Sequence, residues 1–181
     1  MTGRSPAVVV AARWPPATGL VMAAPGERTL DETYRTLAPA LLGYFRSHGA
    51  PDPEDLVGEV FVGVARGLRR FRGDDDALRR WVFTIAYRRL VDNVRRRAAR
   101  PYHPVAHLPE PQTHDQPTAL DVDLVRALGE LTALQREVVL LRFVADLPLA
   151  DVARILRRRV GAVKTLQSRA LDQLARSLGS P

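Results

Sequence analysis

The segment 101–118 limits the possible folds of this chain more than any other feature, because five of its residues are proline. Proline lacks a backbone N–H and blocks a helix interior, so no helix can continue through this segment. On both sides of it, apolar residues recur at steps of three and four, as they do along one face of a helix. The sequence therefore predicts an all-α fold, with two small helical domains joined by a flexible Pro-rich linker.

The chain of 181 residues is long enough for two such domains. Its first residues are rich in Ala, Pro and Val and are expected to form a disordered tail, with either Met1 or Met22 as the true start. We predict this tail over 1–27, the first domain over 28–100, the linker over 101–119 and the second domain over 120–181.

Helix starts are marked by residues that can bond the free N–H groups of a first turn. Thr29 with Glu32, and Thr132 with Gln135, have the spacing of capping boxes. Asp52, before Pro53, and Asp76 are expected to cap the second and third helices. Two apolar stripes illustrate the predicted core: Leu30, Tyr34, Leu37, Leu41 and Phe45 in the first helix, and Val163, Leu166, Ala170 and Leu174 in the last.

Composition excludes several classes of protein. The chain has no cysteine, so it has neither disulfides nor a thiolate metal site, and its four histidines lack paired ligand spacing. Asp74, Asp75 and Asp76 could suggest a metal-dependent nucleic-acid enzyme, but acidic residues are favoured at any helix start. No apolar run approaches the roughly 20 residues that span a bilayer. We therefore expect a cytoplasmic protein with no catalytic site, metal, cofactor or membrane insertion.

Charge is distributed in blocks along the chain. Residues 66–100 carry a formal charge of +8 and residues 154–181 carry +6, whereas the intervening 101–153 carry −5. A basic surface favours a polyanionic partner, because each phosphate that it neutralises releases counterions. Two separate basic blocks on helical patterns therefore favour nucleic acid as the partner.

The second domain contains a helix-turn-helix pattern. A short helix carrying Val152 and Ile155 is followed by a turn and by the helix that begins near 160. With the apolar stripe of this last helix inward, its outer face presents Lys164, Thr165, Ser168 and Arg169, which are donors that can reach base edges in the major groove. The turn before it holds Arg157, Arg158 and Arg159, which are expected to clamp phosphates.

Several motifs give the chain a family resemblance. DLVGEVF from Asp55, FRGD from Phe71 and WVFTIAYRRLVD from Trp81 resemble the second conserved region of bacterial sigma factors. LTALQREVVLLR from Leu131, DVARIL from Asp151 and GAVK from Gly161 resemble the fourth. Only the linker lies between them, which is similar to the extracytoplasmic-function (ECF) group.

The resemblance implies a transcription initiation factor that binds core RNA polymerase, recognises the −10 and −35 promoter elements and assists DNA opening. It also suggests an anti-sigma protein as a further partner. By the same resemblance, the −10 element is recognised by Arg88, Arg89, Asp92, Arg95, Arg96 and Arg97. The polymerase is bound by Asp55, Leu56, Glu59 and Val62, on a helix that is apolar on more than one face. Alternatively, Leu56 belongs to the core.

A one-component transcriptional regulator is the competing interpretation. It would combine the helix-turn-helix with a helical sensor or dimerisation domain, and the helix-turn-helix alone does not exclude it. The two interpretations differ in whether the free chain binds promoter DNA tightly and with sequence preference.

Overall fold

The computed structural model describes residues 29–99 and 119–179 of the chain, and no strand occurs within these two ranges. The predicted tail and nearly all of the linker lie outside the described residues. The helices are α1 (Leu30–Ser47), α2 (Pro53–Gly67), α3 (Asp75–Ala98), α4 (Ala119–Glu130), α5 (Ala133–Phe143), α6 (Leu149–Leu156) and α7 (Val160–Gly179), with a 3-10 turn at Leu68–Arg70. The all-α prediction is confirmed for the described ranges.

Both capping boxes are present. At the start of α1, the Glu32 N–H donates to Thr29 Oγ1 over 3.2 Å, and the Thr29 N–H donates to Glu32 Oε2 over 3.1 Å. At the start of α5, the corresponding distances between Thr132 and Gln135 are 3.3 and 3.0 Å. Each pair satisfies two N–H groups that the helix leaves open, so these two starts were encoded locally.

The start of α3 differs from the prediction. Asp74, and not Asp76, is the capping residue, and its Oδ1 accepts from the Ala77 N–H over 2.8 Å. The helix therefore begins two residues earlier than expected. Asp76 instead adds negative charge to the first turn, where the helix dipole favours it. Asp52 does precede α2, but its side chain makes no capping hydrogen bond.

The first domain packs α2 against both α1 and α3. Its centre is formed by fully buried side chains, namely Leu41, Tyr44, Phe45, Val60, Val64, Val82 and Phe83. Leu37 is also buried as predicted, whereas Leu30 and Tyr34 remain 40% and 49% exposed. Both lie in the first turns of α1. The Tyr34 ring contacts the Phe61 ring at a tilt, with ring centroids 4.7 Å apart.

The second domain packs α7 against α4, α5 and α6. Val163, Ala170 and Leu174 are buried as predicted, and Leu166 is partly buried against the same core. Arg136 closes the end of α4 by donating to the carbonyl oxygens of Leu128 and Gly129, over 2.7 and 2.9 Å. This packing fixes which face of α7 remains outside.

The two domains also touch each other, through α1 against α5 and α3 against α6. Within the described part of the chain, no helix is both long and apolar enough to cross a membrane.

Candidate nucleic-acid interface

The turn between α6 and α7 sets the orientation of α7. Arg157 adopts a left-handed conformation, with φ 52° and ψ 46°. The Arg158 N–H then donates to Ala153 O over 2.9 Å and the Arg157 N–H to Arg154 O over 3.3 Å, which is the Schellman pattern of helix ends. Glycine is the usual residue here, and a side chain at this conformation costs about 1–2 kcal/mol.

The outer face of α7 carries the donors that the sequence indicated. Lys164, Thr165, Ser168 and Arg169 are all exposed, while Val163 on the opposite face is fully buried. The Thr165 hydroxyl donates to Gly161 O over 3.1 Å, so toward a ligand it is oriented as an acceptor. This geometry leaves the N-terminal half of α7 open to a groove.

The three arginines of the turn are exposed beside the first turn of α7. A helix N-terminus has free N–H groups and a positive dipole end, and both favour an anion there. Arg157, Arg158 and Arg159 add three positive charges to that potential. The combination is suited to phosphate oxygens, which position a protein on DNA without specifying sequence.

In the first domain, Arg88, Asp92, Arg95 and Arg97 are exposed along α3. Arg88 and Asp92 are four residues apart, which could have produced an ion pair within the helix. No such pair forms between them. Both side chains are therefore available to a ligand on this face of α3.

Arg89 and Arg96 point differently, toward Glu59 on α2. Arg89 Nε lies 3.8 Å from Glu59 Oε2, and Arg96 Nη2 lies 3.6 Å from Glu59 Oε1. A groove of about 380 Å³ runs between α2 and α3 here, lined by Asp52, Asp55, Leu56, Glu59, Asn93, Arg96 and Arg97. The structure thus joins residues expected to bind DNA with residues expected to bind the polymerase.

Three of the four residues expected to bind the polymerase lie at the surface of α2. Asp55 is exposed, Glu59 is partly exposed and Val62 is 51% exposed. Leu56 is only 3% exposed, so its placement on a partner face was wrong and it belongs to the core. The reason lies in its register, because Leu56 precedes the buried Val60 by four residues, one turn of the same face.

Sequence reasoning missed the polar contacts between the domains. Glu137 of α5 is buried against Tyr44 and His48 of α1, and the buried Asp151 of α6 binds Arg80 of α3. One signal was available for Glu137, since it follows the apolar Leu134 by three residues and directly precedes the apolar Val138. Among the described residues, no cluster of three or more metal-ligating side chains occurs.

Comparison with known proteins agrees with this geometry. Residues 31–100 match the family described as sigma-70 region 2, and residues 121–174 match sigma-70 region 4. The chain is 31% identical over 157 residues to the ECF RNA polymerase sigma factor BldN of Streptomyces coelicolor, a match covering 82% of this chain and 56% of BldN. It is 28% identical over 163 residues to the ECF sigma factor SigD of Mycobacterium tuberculosis, covering 82% of this chain and 77% of SigD. The chain thus spans little more than half the length of BldN.

Two solved structures resemble the fold. One is the sigma factor RpoE in complex with the anti-sigma factor NepR from Bartonella quintana, with a TM-score of 0.65, 25% identity and coverage of 82% of this chain and 96% of that one. The other is CnrH in complex with the cytosolic domain of CnrY, with a TM-score of 0.61, 24% identity and coverage of 83% and 87%. Both conserved regions occur in order on separate helical domains, and the chain therefore belongs to the sigma-70 family, as a member of its ECF group.

Proposed function

We propose that this chain binds core RNA polymerase in the cytoplasm and directs it to promoters by recognising their −10 and −35 elements. It also assists the opening of the DNA. As a sigma factor it is not an enzyme, and its chemistry consists of binding and positioning.

The observation that carries this proposal is the presence of an exposed basic helix face in each of the two domains. One lies on α3, in the part of the chain that matches region 2, and the other lies on α7, in the part that matches region 4. Two faces on separate domains fit two separate DNA elements better than one continuous site.

On α7, Lys164, Thr165 and Ser168 read the −35 element, with Arg169 at their flank. Lysine reaches guanine acceptors, and the Ser168 hydroxyl bonds either edge of a base pair. The Thr165 hydroxyl, which donates to Gly161 O, accepts from a base amino group. Arg157, Arg158 and Arg159 hold the adjacent phosphates. This division of roles follows from position, since the reading residues occupy the first turns of α7 and the arginines precede it.

On α3, Arg88, Asp92 and Arg95 face the −10 element, where a separated strand offers unpaired base edges and phosphates. Arg97 extends the same basic surface, and Arg89 and Arg96 reach it once they leave Glu59. Asp55, Glu59 and Val62 of α2 contact the polymerase. The complex of RpoE with NepR supports an anti-sigma protein as a further partner of this chain.

Run-off transcription with purified core polymerase tests the proposal directly. The template is the DNA upstream of the coding sequence of this chain, transcribed with and without the protein. We expect transcripts only when core polymerase and this protein are both present. We expect the free chain to bind the same duplex weakly. Tight and sequence-specific binding by the free chain would instead identify a one-component regulator.

Two substitutions separate reading from positioning. Lys164→Ala should relax discrimination at one or two −35 positions by about 1–3 kcal/mol. Arg158→Ala should weaken all promoters alike and flatten their salt dependence, because it removes a phosphate contact. Both are measured as holoenzymes on a panel of single-base −35 variants. A uniform loss for Lys164→Ala would place the reading face elsewhere.

The polymerase face is tested with two exposed valines. Val62 on α2 is 51% exposed and Val125 on α4 is 67% exposed, so neither replacement by Asp disturbs the core. Val62→Asp should abolish association with core polymerase in a pull-down, whereas Val125→Asp should leave it intact. Retained binding by a folded Val62→Asp chain would exclude this face.

A further inference from the structure

One of the contacts between the two domains is built around a buried carboxylate. Glu137 of α5 is 6% exposed and faces α1 of the first domain. The Tyr44 hydroxyl donates to Glu137 Oε1 over 2.5 Å, and His48 Nε2 lies 2.9 Å from Glu137 Oε2. Tyr44 itself is fully buried, so this cluster is shielded from water on both sides of the interface.

The second ring nitrogen of His48 fixes the number of protons in the cluster. His48 Nδ1 lies 2.8 Å from the carbonyl oxygen of Tyr44, which can only accept a hydrogen bond. An ionised carboxylate also only accepts, so both ring nitrogens face acceptors. The contact therefore requires either a doubly protonated ring or a protonated Glu137. In both cases the closed cluster holds one proton more than a neutral imidazole and a carboxylate hold when apart.

Other groups around the cluster do not supply this proton. Burial, with the nearby charge of Glu137 second, raises the pKa of Tyr44 well above its usual value, so its hydroxyl remains a donor. Tyr87 of α3 also faces Glu137. Burial and Glu137 raise the pKa of Tyr87, while Arg158 and Arg95 oppose that rise. The extra proton of the closed cluster is therefore held between the ring of His48 and the carboxylate of Glu137.

A second contact joins the domains beside the DNA-binding faces. Arg80 of α3 lies 3.1 Å from the buried Asp151 of α6, and Arg79 donates to Ala145 O over 3.2 Å. These contacts hold α3 and α6 against each other, so the helix expected to face the −10 element lies against the helix that precedes the expected −35 face.

This arrangement is incompatible with binding both promoter elements at once. Elements at −10 and −35 are about 25 base pairs apart, which is roughly 85 Å of duplex at about 3.4 Å per base pair. Side chains of α3 and α6 touch in the closed chain, so the two domains must separate before each can occupy its own element.

We propose that Glu137, Tyr44 and His48 form a proton-linked latch that holds the two promoter-binding domains together in the free chain and opens when the protein engages a promoter. The consequence for promoter binding rests on the proposed function, but the latch itself does not. Since imidazole in water loses its proton near pH 6.5, opening above that pH releases a proton. The closing constant, which is the ratio of chains with the latch closed to chains with it open, then changes little with pH just below 6.5. Above pH 6.5 it falls by up to tenfold per pH unit.

The test measures the distance between the domains in the full chain, without polymerase or DNA. The chain has no cysteine, so Thr36→Cys on α1 and Asp172→Cys on α7, both exposed, place a pair of spin labels or fluorophores without other changes. Between pH 6.5 and 8.5 we expect the closing constant of the wild type to fall by up to about 100-fold. The long-distance population should grow accordingly.

Three variants identify the groups. Glu137→Gln and His48→Gln should each remove the pH dependence. Tyr44→Phe should weaken closure but leave the pH dependence unchanged. The matched control replaces His103, His107 and His114 by Gln, which removes the other histidines and should preserve the wild-type response.

A distance that does not change with pH in the wild type would overturn the proposal. So would a pH response that persists in either Glu137→Gln or His48→Gln. Should His48→Gln fail to fold, as judged by circular dichroism, the isosteric Glu137→Gln decides alone. Run-off transcription is scored separately, so that a sigma factor without a latch and a latch without sigma activity are distinguishable.

Discussion

Gly67, the last residue of α2, should resist replacement by alanine although it lies in a helix. A Cβ at this position would lie 2.7 Å from Cζ2 and 3.0 Å from Cη2 of Trp81. The indole cannot simply move away, because it stacks on Phe71 with ring centroids 5.2 Å apart and planes inclined by 19°. The added methyl group therefore forces either the stack or the end of α2 to shift.

The magnitude follows from two opposing effects. Alanine in place of glycine favours a helix by about 1 kcal/mol in its interior, and by less at its last residue. Overpacking a fitted contact costs about 1–3 kcal/mol. The overpacking cost is the larger of the two, so Gly67→Ala should lower the free energy of unfolding by about 1 kcal/mol.

Gly58 provides the matched control on the same helix. A Cβ there meets nothing within 4 Å, so Gly58→Ala gains the helix term alone and should raise stability by about 0.5–1 kcal/mol. Urea unfolding of the full chain, followed by circular dichroism, measures the stability of both variants. Equal stabilisation by the two substitutions would refute the close contact at Gly67.

Three further predictions concern single side chains. Arg157→Gly should raise the free energy of unfolding by about 1 kcal/mol, and the unfolding midpoint with it, because glycine adopts the left-handed conformation without strain. Asp74→Ala should cost about 1 kcal/mol in thermal unfolding and Asp76→Ala only a few tenths, because only Asp74 caps α3. The hydrogen bond from Arg46 lowers the pKa of Glu54, so Arg46→Gln should raise that pKa in a carboxyl NMR titration. The contribution of Glu54 to stability is present above its ordinary pKa and is lost as pH falls through the lowered value.

Local signals predicted the helices well because each depends on a few neighbouring residues. The capping boxes at Thr29 and Thr132 lie where their spacing indicated, and the donors of α7 face outward because Val163 and Ala170 face inward. Asp76 failed as a cap for a related reason. Three consecutive aspartates can each begin a helix, and only the packing of α3 chooses among them.

Leu56 shows where helical periodicity becomes ambiguous. Helix α2 has apolar residues on more than one side, so its apolar pattern alone could not separate a core position from a partner-facing one. The spacing of Leu56 four residues before Val60 was the better guide, because Val60 and Val64 lie on the same face of α2 and are fully buried. Val62, half a turn away from that face, is the residue that remains exposed.

Sequence reasoning did not find the contact between the domains because it is made by polar side chains. Periodicity identifies a buried face by its apolar residues and assigns polar ones to solvent. Tyr44 with Glu137, and Arg80 with Asp151, reverse that assignment, since each polar group is satisfied by a partner more than 70 residues away. An amphipathic pattern can therefore show which side of a helix builds its own domain. It cannot show which polar side chains are held against the other domain, and in the proposed latch those side chains hold the two domains together.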